Sequence, residues 1–450
     1  MQSLRLFLFA LLWYNKEAKK ANRTAFYGKK KKSCFCNAFS LYLQFHLFSI
    51  GCIIEISKKI YRIAVNEKPK GGKMKKNIFK LCSLILAVFL LLFSASGCNG
   101  EKVTEKYYDD FFGSSVTAVI KGEKSSAINA AWKNACEYLD KLKAKISADN
   151  AESDVSKFNR ANFGDETEID KITYDVLNKA KAAYIKTNGY FDPTVAMSSD
   201  LFGFTSRFKL DSYIPSTNYD RNQNKNGGFE LPQEEYVSAF KNLANFEQVS
   251  ISSSDKKFAI KKDCKPVTVE EKSYEQNIDL SGIIKGFAAD GVKKIFDEQN
   301  LKSYYLSFGS SSLYLGENLQ NSWNLKITDP LSKLRASLGS VKIKNRFVST
   351  AGVYERNYTT ESGVFCHHII DPHTGRPAET DILSVTIIGG ECADSDALST
   401  SLVALGSKKA IAFAKENNEL DYIIVTEDKK IYTTLQLVLA SNSTYTIVAF

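Results

Sequence analysis

An apolar stretch from Ile78 to Phe93 constrains the whole chain, because it separates a leader from the part that can fold as a domain. Lys75 and Lys76 precede the stretch, and the small residues Ser94-Ala95-Ser96-Gly97 follow it, in the order typical of a bacterial export signal. The stretch is too short and wrongly flanked for a permanent membrane span. We therefore expect residues 74–97 to be a signal peptide and the folded domain to lie after it.

The end of this signal, Ala95-Ser96-Gly97-Cys98, resembles the lipobox of bacterial lipoproteins. We expect Cys98 to carry a lipid that anchors the chain to the cell membrane, on its extracytoplasmic face. Ordinary cleavage near this point is the alternative, because Ala95 is less typical than leucine at its position.

Residues 1–73 mix apolar bursts with basic runs and show no sustained helix or strand period. The codons of Lys70-Gly71-Gly72-Lys73 can form a ribosome-binding site directly before Met74. We interpret residues 1–73 as upstream sequence read from a mis-assigned start. A genuine N-terminal extension with a membrane segment is the alternative.

The charge and cysteine content argue against two classes of protein. The chain has a net charge of +10, but residues 1–97 hold 18 basic and 3 acidic side chains, so 42 basic and 47 acidic side chains follow them. An acidic domain gives no support to nucleic-acid binding. The five cysteines from Cys98 onward have no C-x-x-C spacing, so neither a zinc knuckle nor a thioredoxin-like motif is indicated.

The apolar periodicity after the leader predicts one domain of the α+β class, without a regular βαβ repeat. We expect a polar tether over 98–110 and a single domain over 111–450, because no Pro/Gly-rich linker interrupts it. Residues 205–232 are polar and turn-rich, which predicts a loop or lid. Helices are predicted over 125–147, 169–187, 232–244, 283–299, 394–405 and 407–417. Strands are predicted over 111–122, 247–251, 257–261, 267–270, 303–308, 312–315, 323–328, 339–349, 383–388 and 422–426.

The segment IDLSGIIKGFAAD, residues 278–290, predicts a helix start that can bind an anion. Ser281 can cap a helix beginning at Gly282 or Ile283, and the free N–H groups of such a start suit a phosphate. Lys285 adds a positive charge in the first turn. An ordinary capped helix is the alternative.

The segment ADSDALSTSLVALG, residues 393–406, predicts a pair of oxygen ligands. Asp396 and Thr400 are four residues apart, so on a helix both point to one face. A carboxylate and a hydroxyl suit Mg²⁺, which prefers oxygen. A simple N-cap by Asp394 or Asp396 is the alternative.

The segment NGYFDPTV, residues 188–195, predicts a rigid bend, because Asn-Gly favours a turn and Pro193 restricts the chain after Asp192. The Asp192 carboxylate can accept hydrogen bonds from a ligand there. A structural turn is the alternative.

Three of the four histidines lie within CHHIIDPHTGRP, residues 366–377. His367 and His368 are adjacent on a strand-like run and should point to opposite sides, so they cannot easily share one metal ion. One of them can face a pocket and act as a base. His373, in the following turn, should be exposed.

Taken together and in order, these segments resemble the ApbE family of FAD:protein FMN transferases. GYFDPTV with LFGF is similar to the family's GxFDPTV…LWGF, and IDLSGIIKGFAAD is similar to IDLGGIAKGYAVD. VSTAGVYERNY, CHHIIDPHTGRP and SDALSTSLVALG are similar to the segments around SGDYERY, HHIIDPRTGxP and ADALSTALFVLG. The resemblance covers roughly residues 111–440 and implies a large mixed α/β domain of the T-fold-like type.

The resemblance also implies an activity and a set of site residues. Enzymes of this family bind FAD and Mg²⁺, transfer FMN to a threonine hydroxyl of an acceptor protein in an exported redox system, and release AMP. His368 matches the proposed base, and Gly282, through its carbonyl oxygen, Asp396 and Thr400 match the metal ligands. The positions that contact FAD match Phe112, Phe191, Asp192, Thr194, Asp279, Lys285 and Ile370.

Three departures from the family pattern leave other activities open. Ser310 stands where a glycine is frequent, and Thr350-Ala351-Gly352-Val353-Tyr354 replaces Ser-Gly-Asp-Tyr. Asp149 stands near the position of a frequent aromatic residue and could hold a water or a second metal ion. The alternatives are therefore a Mg²⁺-dependent FAD pyrophosphatase, which yields FMN and AMP, or a lipoprotein that binds FAD without catalysis.

Overall fold

A nine-stranded, almost entirely antiparallel sheet organises the domain in a computed structural model, which describes residues 103–205, 230–309, 311–318 and 322–450. The strands are β1 Val103–Phe111, β2 Ser114–Lys121, β3 Glu166–Ile169, β4 Val249–Ser254, β5 Lys257–Lys262, β6 Val267–Val269, β7 Lys272–Tyr274, β8 Tyr304–Phe308, β9 Ser312–Leu315, β10 Trp323–Thr328, β11 Ser337–Ile343, β12 Arg346–Gly352, β13 Asn357–Thr359, β14 Phe365–His367, β15 Ile370–Asp371, β16 Arg376–Pro377, β17 Ile382–Ile388, β18 Asp421–Thr426, β19 Lys430–Thr433, β20 Val438–Leu439 and β21 Thr446–Ala449. The large sheet has the order β1-β2-β8-β9-β12-β17-β18-β19-β21, and only β19 and β21 pair in parallel. The described residues fall in one structural unit that begins at Gly100.

Helices cover one face of this sheet. The helices are α1 Ser125–Ile146, α2 Asp154–Arg160, α3 Lys171–Lys186, α4 Ala196–Leu201, α5 Glu234–Lys241, α6 Ile284–Glu298, α7 Cys392–Leu405 and α8 Ser407–Glu416. α6 packs on β8 and β9, and α7 packs on β12 and β17. α7 is buried nearly all round because α3, α6 and α8 also contact it. A helix in that position must carry apolar or small residues on most faces, so its polar side chains need partners.

The opposite face of the sheet carries a second, smaller sheet. Strands β10, β11 and β20 form it, and their apolar side chains join those of β9, β12, β17 and β18 in one buried cluster. Val348, Ile388 and Ile423 are among the sheet residues of that cluster. The central strands are therefore buried on both faces, which explains why all seven residues of β17 are buried.

The predicted α+β class and the six predicted helices are confirmed, with ends within a few residues. The two ends of α3 show why helix ends are hard to place from the sequence. Asp170 caps α3 through its carboxylate, and Asn188 and Gly189 end that helix with φ values of 52° and 81°. The predicted strand over 339–349 is two strands, because Asn345 adopts φ 52° and reverses the chain between β11 and β12.

The predicted tether over 98–110 is wrong from Val103 onward. These residues form β1, which pairs with β2 from Val103↔Lys121 to Phe111↔Ser114. Their polarity has a different cause: β1 is an edge strand with mostly exposed side chains, and α1 satisfies several of them. Tyr108 donates to Asp140, for example.

Several predictions lie outside the described residues. These are the leader over 1–73, the signal peptide over 74–97, the lipidated Cys98, Ser310 and most of the loop or lid over 205–232. Within the part of the chain that the structure describes, no helix is long and apolar enough to cross a membrane.

Candidate active site

A buried carboxylate lies at the centre of the candidate site. Asp396, on α7, is 5% exposed and accepts three hydrogen bonds. Its Oδ2 accepts from the backbone N–H of Gly286 at 3.0 Å, and its Oδ1 accepts from the hydroxyls of Ser312 and Ser349 at 3.2 and 3.0 Å. Burial raises the pKa of Asp396, whereas Lys285 and these donors oppose the rise. An anionic carboxylate in such surroundings is favourable only with positive charge nearby.

The turn before α6 contains a carbonyl oxygen that accepts no backbone hydrogen bond from the described residues. The N–H of Gly286 would reach the Gly282 carbonyl in a continuous helix, but it donates to Asp396 instead. Among the described residues, no backbone N–H donates to the Gly282 carbonyl oxygen. Thr400 lies one turn after Asp396 and is half-buried, with its hydroxyl in a weak 3.4 Å contact to the Asp396 carbonyl.

These three groups form a set of oxygen donors that fits a hard cation such as Mg²⁺. The Gly282 carbonyl in particular has the unused acceptor capacity that a metal ligand needs. The described residues contain no group of three or more His, Cys, Asp or Glu side chains arranged to hold a metal ion. The predicted ligands Gly282, Asp396 and Thr400 therefore remain a prediction that the donor chemistry supports.

Lys285 places a positive charge near both the Asp396 carboxylate and His368. Its Nζ donates to Ser311 Oγ at 2.7 Å. Its charge opposes the burial that raises the pKa of Asp396, and adds to the burial that lowers the pKa of His368. The predicted N-cap by Ser281 is wrong, because α6 begins at Ile284 and its cap position is Ile283, without a side-chain bond. Asp279 instead accepts from the Ser281 N–H at 2.8 Å and so shapes the turn before the helix.

The FDPTV bend turns its polar side chains inward. Asp192 is 5% exposed and accepts from the N–H and hydroxyl of Thr194 and from the N–H of Phe246. Burial raises the pKa of Asp192 to about 6. Thr194 is fully buried. The structural turn thus explains the hydrogen bonds of both side chains, and their contact with FAD stays a prediction.

Phe191 connects the bend to the oxygen cluster. It is buried in the main core, and a Cβ placed on Gly282 would come within 3.2 Å of its ring. The ring therefore lies directly against the turn that exposes the Gly282 carbonyl. Of the three predicted FAD contacts in the bend, Phe191 is the one that the structure places beside the site.

The two adjacent histidines have different environments. His367 is 3% exposed, donates from Nε2 to the Ala378 carbonyl and accepts the Ile369 N–H at Nδ1, so both ring nitrogens are used. Burial lowers the pKa of His367 to about 4. His367 is therefore structural.

His368 has the arrangement of a base. Its backbone N–H and its Nδ1–H both donate to the Arg356 carbonyl, at 3.1 and 3.2 Å, so the lone pair is on Nε2. Burial, and then the charge of Arg356, hold the pKa of His368 well below its usual range. Phe204, from the LFGF segment, packs its ring against the imidazole with 6.4 Å between centroids. The run around the histidines is not one strand, because β14 ends at His367 and β15 begins at Ile370.

The remaining predicted residues lie at varying distances from this centre. Phe112 is half-buried in the β1–β2 turn with φ 48°. The start of β2 beside it accepts, at Ser115 O, the Gly309 N–H of the β8–β9 turn that carries Ser311. Ile370 is 6% exposed in an apolar cluster. Asp149 is exposed in the loop after α1, and its N–H donates to Ser147. His373 is about half exposed, as predicted.

A cavity of about 640 Å³ lies on the outer side of the FDPTV bend. Tyr184, Asn188, Asp192, Lys241 and His373 are among its lining residues. Its lining does not include Lys285, His368 or Asp396. We place the candidate active site at those three residues rather than at the cavity. A buried carboxylate, a lysine near it and an imidazole with a free nitrogen are groups that catalysis uses, and none of them lines the cavity.

Four groups at the site were not assigned from the sequence. Ser312 and Ser349 are ordinary strand residues in the sequence, and only the pairing of β9 with β12 brings both to Asp396. Arg356 acts through its carbonyl oxygen, which no side-chain pattern reveals. Asp290 accepts from the Cys392 and Ala393 N–H groups at the start of α7, and its place at the end of the DLSGIIKGFAAD segment was the only available signal.

The fold and this site define an enzyme of the flavin-transferase class. The structure superposes on the flavin transferase ApbE from Vibrio cholerae with a TM-score of 0.58 at 21% identity, covering 76% of this chain and 99% of that one. It superposes equally well, at 25% identity, on the ApbE protein from Thermotoga maritima, covering 76% of this chain and 97% of that one.

A model of the ApbE family matches residues 112–424, so the chain belongs to the ApbE family. The FAD:protein FMN transferase of Buchnera aphidicola subsp. Schizaphis graminum is 29% identical over 296 residues, which are 66% of this chain and 78% of that protein. The FAD:protein FMN transferase of Escherichia coli K12 is 25% identical over 303 residues, with the same coverage. Flavinylation of acceptor proteins is the function of this family.

Proposed function

We propose that this chain transfers the FMN part of FAD to a threonine hydroxyl of an acceptor protein and releases AMP, with Mg²⁺ as cofactor. The observation that carries the proposal is the position of Lys285, which directly precedes the Gly286 N–H that bonds the buried Asp396 carboxylate, together with the free Nε2 of His368. An anionic diphosphate needs that positive charge, and an attacking hydroxyl needs that base. The family membership of the chain supports the same reaction.

The residues have separate tasks in this reaction. His368 Nε2 takes the proton of the threonine hydroxyl as that oxygen bonds to the FMN phosphorus. The bond between this phosphorus and the bridging oxygen breaks, and AMP leaves with that oxygen. Lys285 stabilises the charge on the diphosphate. The Arg356 carbonyl keeps the imidazole in the tautomer that has its lone pair on Nε2.

Gly282, Asp396 and Thr400 would hold the Mg²⁺ ion through their oxygen atoms. When bound, the ion supplies positive charge that neutralises the diphosphate and the leaving AMP. Ser312 and Ser349 donate to one oxygen of the Asp396 carboxylate, which fixes the orientation of the carboxylate.

The proposed location is the extracytoplasmic face of the cell membrane, with a lipid on Cys98. The export signal and the lipobox-like Ala95-Ser96-Gly97-Cys98 support it. The acceptor would then belong to an exported redox system. Mass spectrometry of the membrane-bound protein tests this point: a diacylglyceryl group on an N-terminal Cys98 is expected, and a mature chain starting at another residue would contradict it.

The reaction is tested with the chain from Glu101 onward, FAD, Mg²⁺ and a flavin-acceptor domain, with and without EDTA. Flavin fluorescence on the denatured acceptor, together with AMP in equal amount, is expected only without EDTA. AMP and free FMN without labelled acceptor would indicate the pyrophosphatase, and Asp149→Tyr should then reduce that hydrolysis. Bound FAD without either product would indicate a binding protein.

A further inference from the structure

Asp290 joins the two helices that supply the candidate cation site. It lies on α6, two turns after the Gly282 carbonyl and one turn after Gly286. Its Oδ1 accepts from the Cys392 N–H at 2.8 Å and its Oδ2 accepts from the Ala393 N–H at 2.9 Å. These N–H groups are the first two of α7, and they have no partner within that helix.

The cap comes from another helix because α7 has none of its own. Its cap residue, Glu391, makes no side-chain hydrogen bond to the helix start. A carboxylate at that end is also favoured by the partial positive charge of the helix N-terminus. The Asp290 carboxylate is therefore a two-point connection between α6 and the beginning of α7.

The same face of α6 makes a second contact with α7 at Gly286. A Cβ there would lie 2.3 Å from the Cys392 carbonyl oxygen, so the two backbones touch. The Gly286 N–H reaches Asp396 one turn further along α7. Cys392 thus takes part in both contacts, through its N–H with Asp290 and through its carbonyl oxygen with Gly286. The two contacts together fix where Asp396 lies relative to α6.

We propose that Asp290 is a positioning residue for the cation site: its two hydrogen bonds set α7 against α6, so that Asp396 and Thr400 meet the Gly282 carbonyl. This inference rests on the proposed function, because it presupposes the cation site. Loss of one bond would leave a buried N–H without a partner and allow the start of α7 to shift. Substitution of a residue that orients metal ligands through hydrogen bonds typically lowers metal affinity by about 10- to 100-fold.

The test is a direct measurement of metal binding, by the free Mn²⁺ signal in electron paramagnetic resonance, without FAD. Asp290→Asn retains the shape but turns an amide N–H towards a backbone N–H, so one bond is lost. We expect its Mn²⁺ dissociation constant to rise at least tenfold, and a wild-type value would overturn the proposal. A Mg²⁺-induced increase in melting temperature, measured for each variant, gives a second readout of affinity that is separate from basal stability.

Asp394→Asn is the matched control for charge. Asp394 lies in the first turn of α7, and its side chain is about 45% exposed. Its substitution removes a carboxylate close to the same ligands, without removing a bond to α6. We expect near wild-type affinity for Mn²⁺. An equal loss in both variants would show a general electrostatic effect and would overturn the proposal.

Asp290→Glu keeps the charge and both acceptor oxygens, and it serves if the Asn variant does not fold. We expect the Glu variant to bind Mn²⁺ within about threefold of wild type. A folded Glu variant that loses affinity as strongly as Asn would point to packing alone and would overturn the proposal. Asp396→Asn distinguishes failure of the cation site from failure of the positioning role of Asp290. If the wild type binds Mn²⁺ no better than this variant, the cation site itself is wrong.

Discussion

At the scale of single residues, hydrogen bonds decide which of two adjacent imidazoles can do chemistry. His367 uses both ring nitrogens inside the protein, whereas His368 uses only Nδ1. Both have a lowered pKa because burial disfavours the charged ring. A base that is neutral at physiological pH and has a free nitrogen is the combination that general-base catalysis needs.

His368→Ala should bind FAD but transfer FMN slowly. General bases contribute about 10²- to 10⁴-fold, so we expect a decrease of that size in the rate of acceptor labelling. The matched control is His373→Ala, because His373 is about half exposed, bonds Asp371 and lies against the ring of Tyr190, away from the candidate site. The rates are measured from covalent flavin fluorescence. A wild-type rate for His368→Ala would exclude the base role.

His367 should make the fold sensitive to acid. Its pKa of about 4 lies below the ordinary value of 6.5, so its contribution to stability is complete above pH 6.5 and is lost as the pH falls towards 4. The loss should reach roughly 3 kcal/mol. His367→Gln can still donate to Ala378 but does not titrate, so its unfolding free energy should fall less over this interval. Urea unfolding at several pH values measures the difference, and parallel curves would contradict it.

At the scale of elements, the close packing of α6 against α7 depends on Gly286, which has no side chain. Gly286→Ala would place a Cβ 2.3 Å from the Cys392 carbonyl oxygen and 2.8 Å from the Ala393 Cα, and both are backbone atoms. α6 and α7 must then separate, at a cost of about 1–3 kcal/mol in unfolding free energy. Transfer should also slow, because the Gly286 N–H moves away from Asp396.

Gly291→Ala is the control for that prediction. Gly291 lies on the same helix, and the atoms nearest to its added Cβ would be the outer atoms of the Tyr138 ring. Because that side chain can rotate, and because alanine favours a helix more than glycine does, we expect little or no loss of stability. Urea unfolding compares the two variants. Equal losses in both would contradict the proposed close contact of α6 with α7.

The elements that the sequence predicts best are those with a strong local period. The helix over 125–147 is nearly exact because Ile128, Ala135 and Leu139 repeat along one buried face. The cap by Ser281 was wrong because a short turn, held by Asp279, precedes the helix. The ligands of Asp396 were predictable only in part. Asp396 and Thr400 share one helix, whereas Ser312 and Ser349 reach Asp396 through strand pairing that no local pattern specifies.

At the scale of the whole molecule, the site is assembled from elements that are distant in the sequence. α6 gives Lys285 and the turn at Gly282, α7 gives Asp396, and the segment after β14 gives His368. The large sheet holds these parts together, since β9 and β12 each provide a hydroxyl to the carboxylate. Flavin transfer and stability should therefore depend on the whole sheet, including its edge strand β1.

A chain that starts at Phe111 tests whether residues 103–110 belong to this sheet. It lacks nearly all of β1 and leaves β2 as an exposed edge without its hydrogen-bonding partner. Compared with a chain that starts at Glu101, we expect unfolding free energy to fall by at least about 2 kcal/mol, because several backbone bonds and the Tyr108–Asp140 contact are lost. Size-exclusion chromatography should also show aggregation. If residues 103–110 were only a tether, the two chains would unfold at the same urea concentration and both would stay monodisperse.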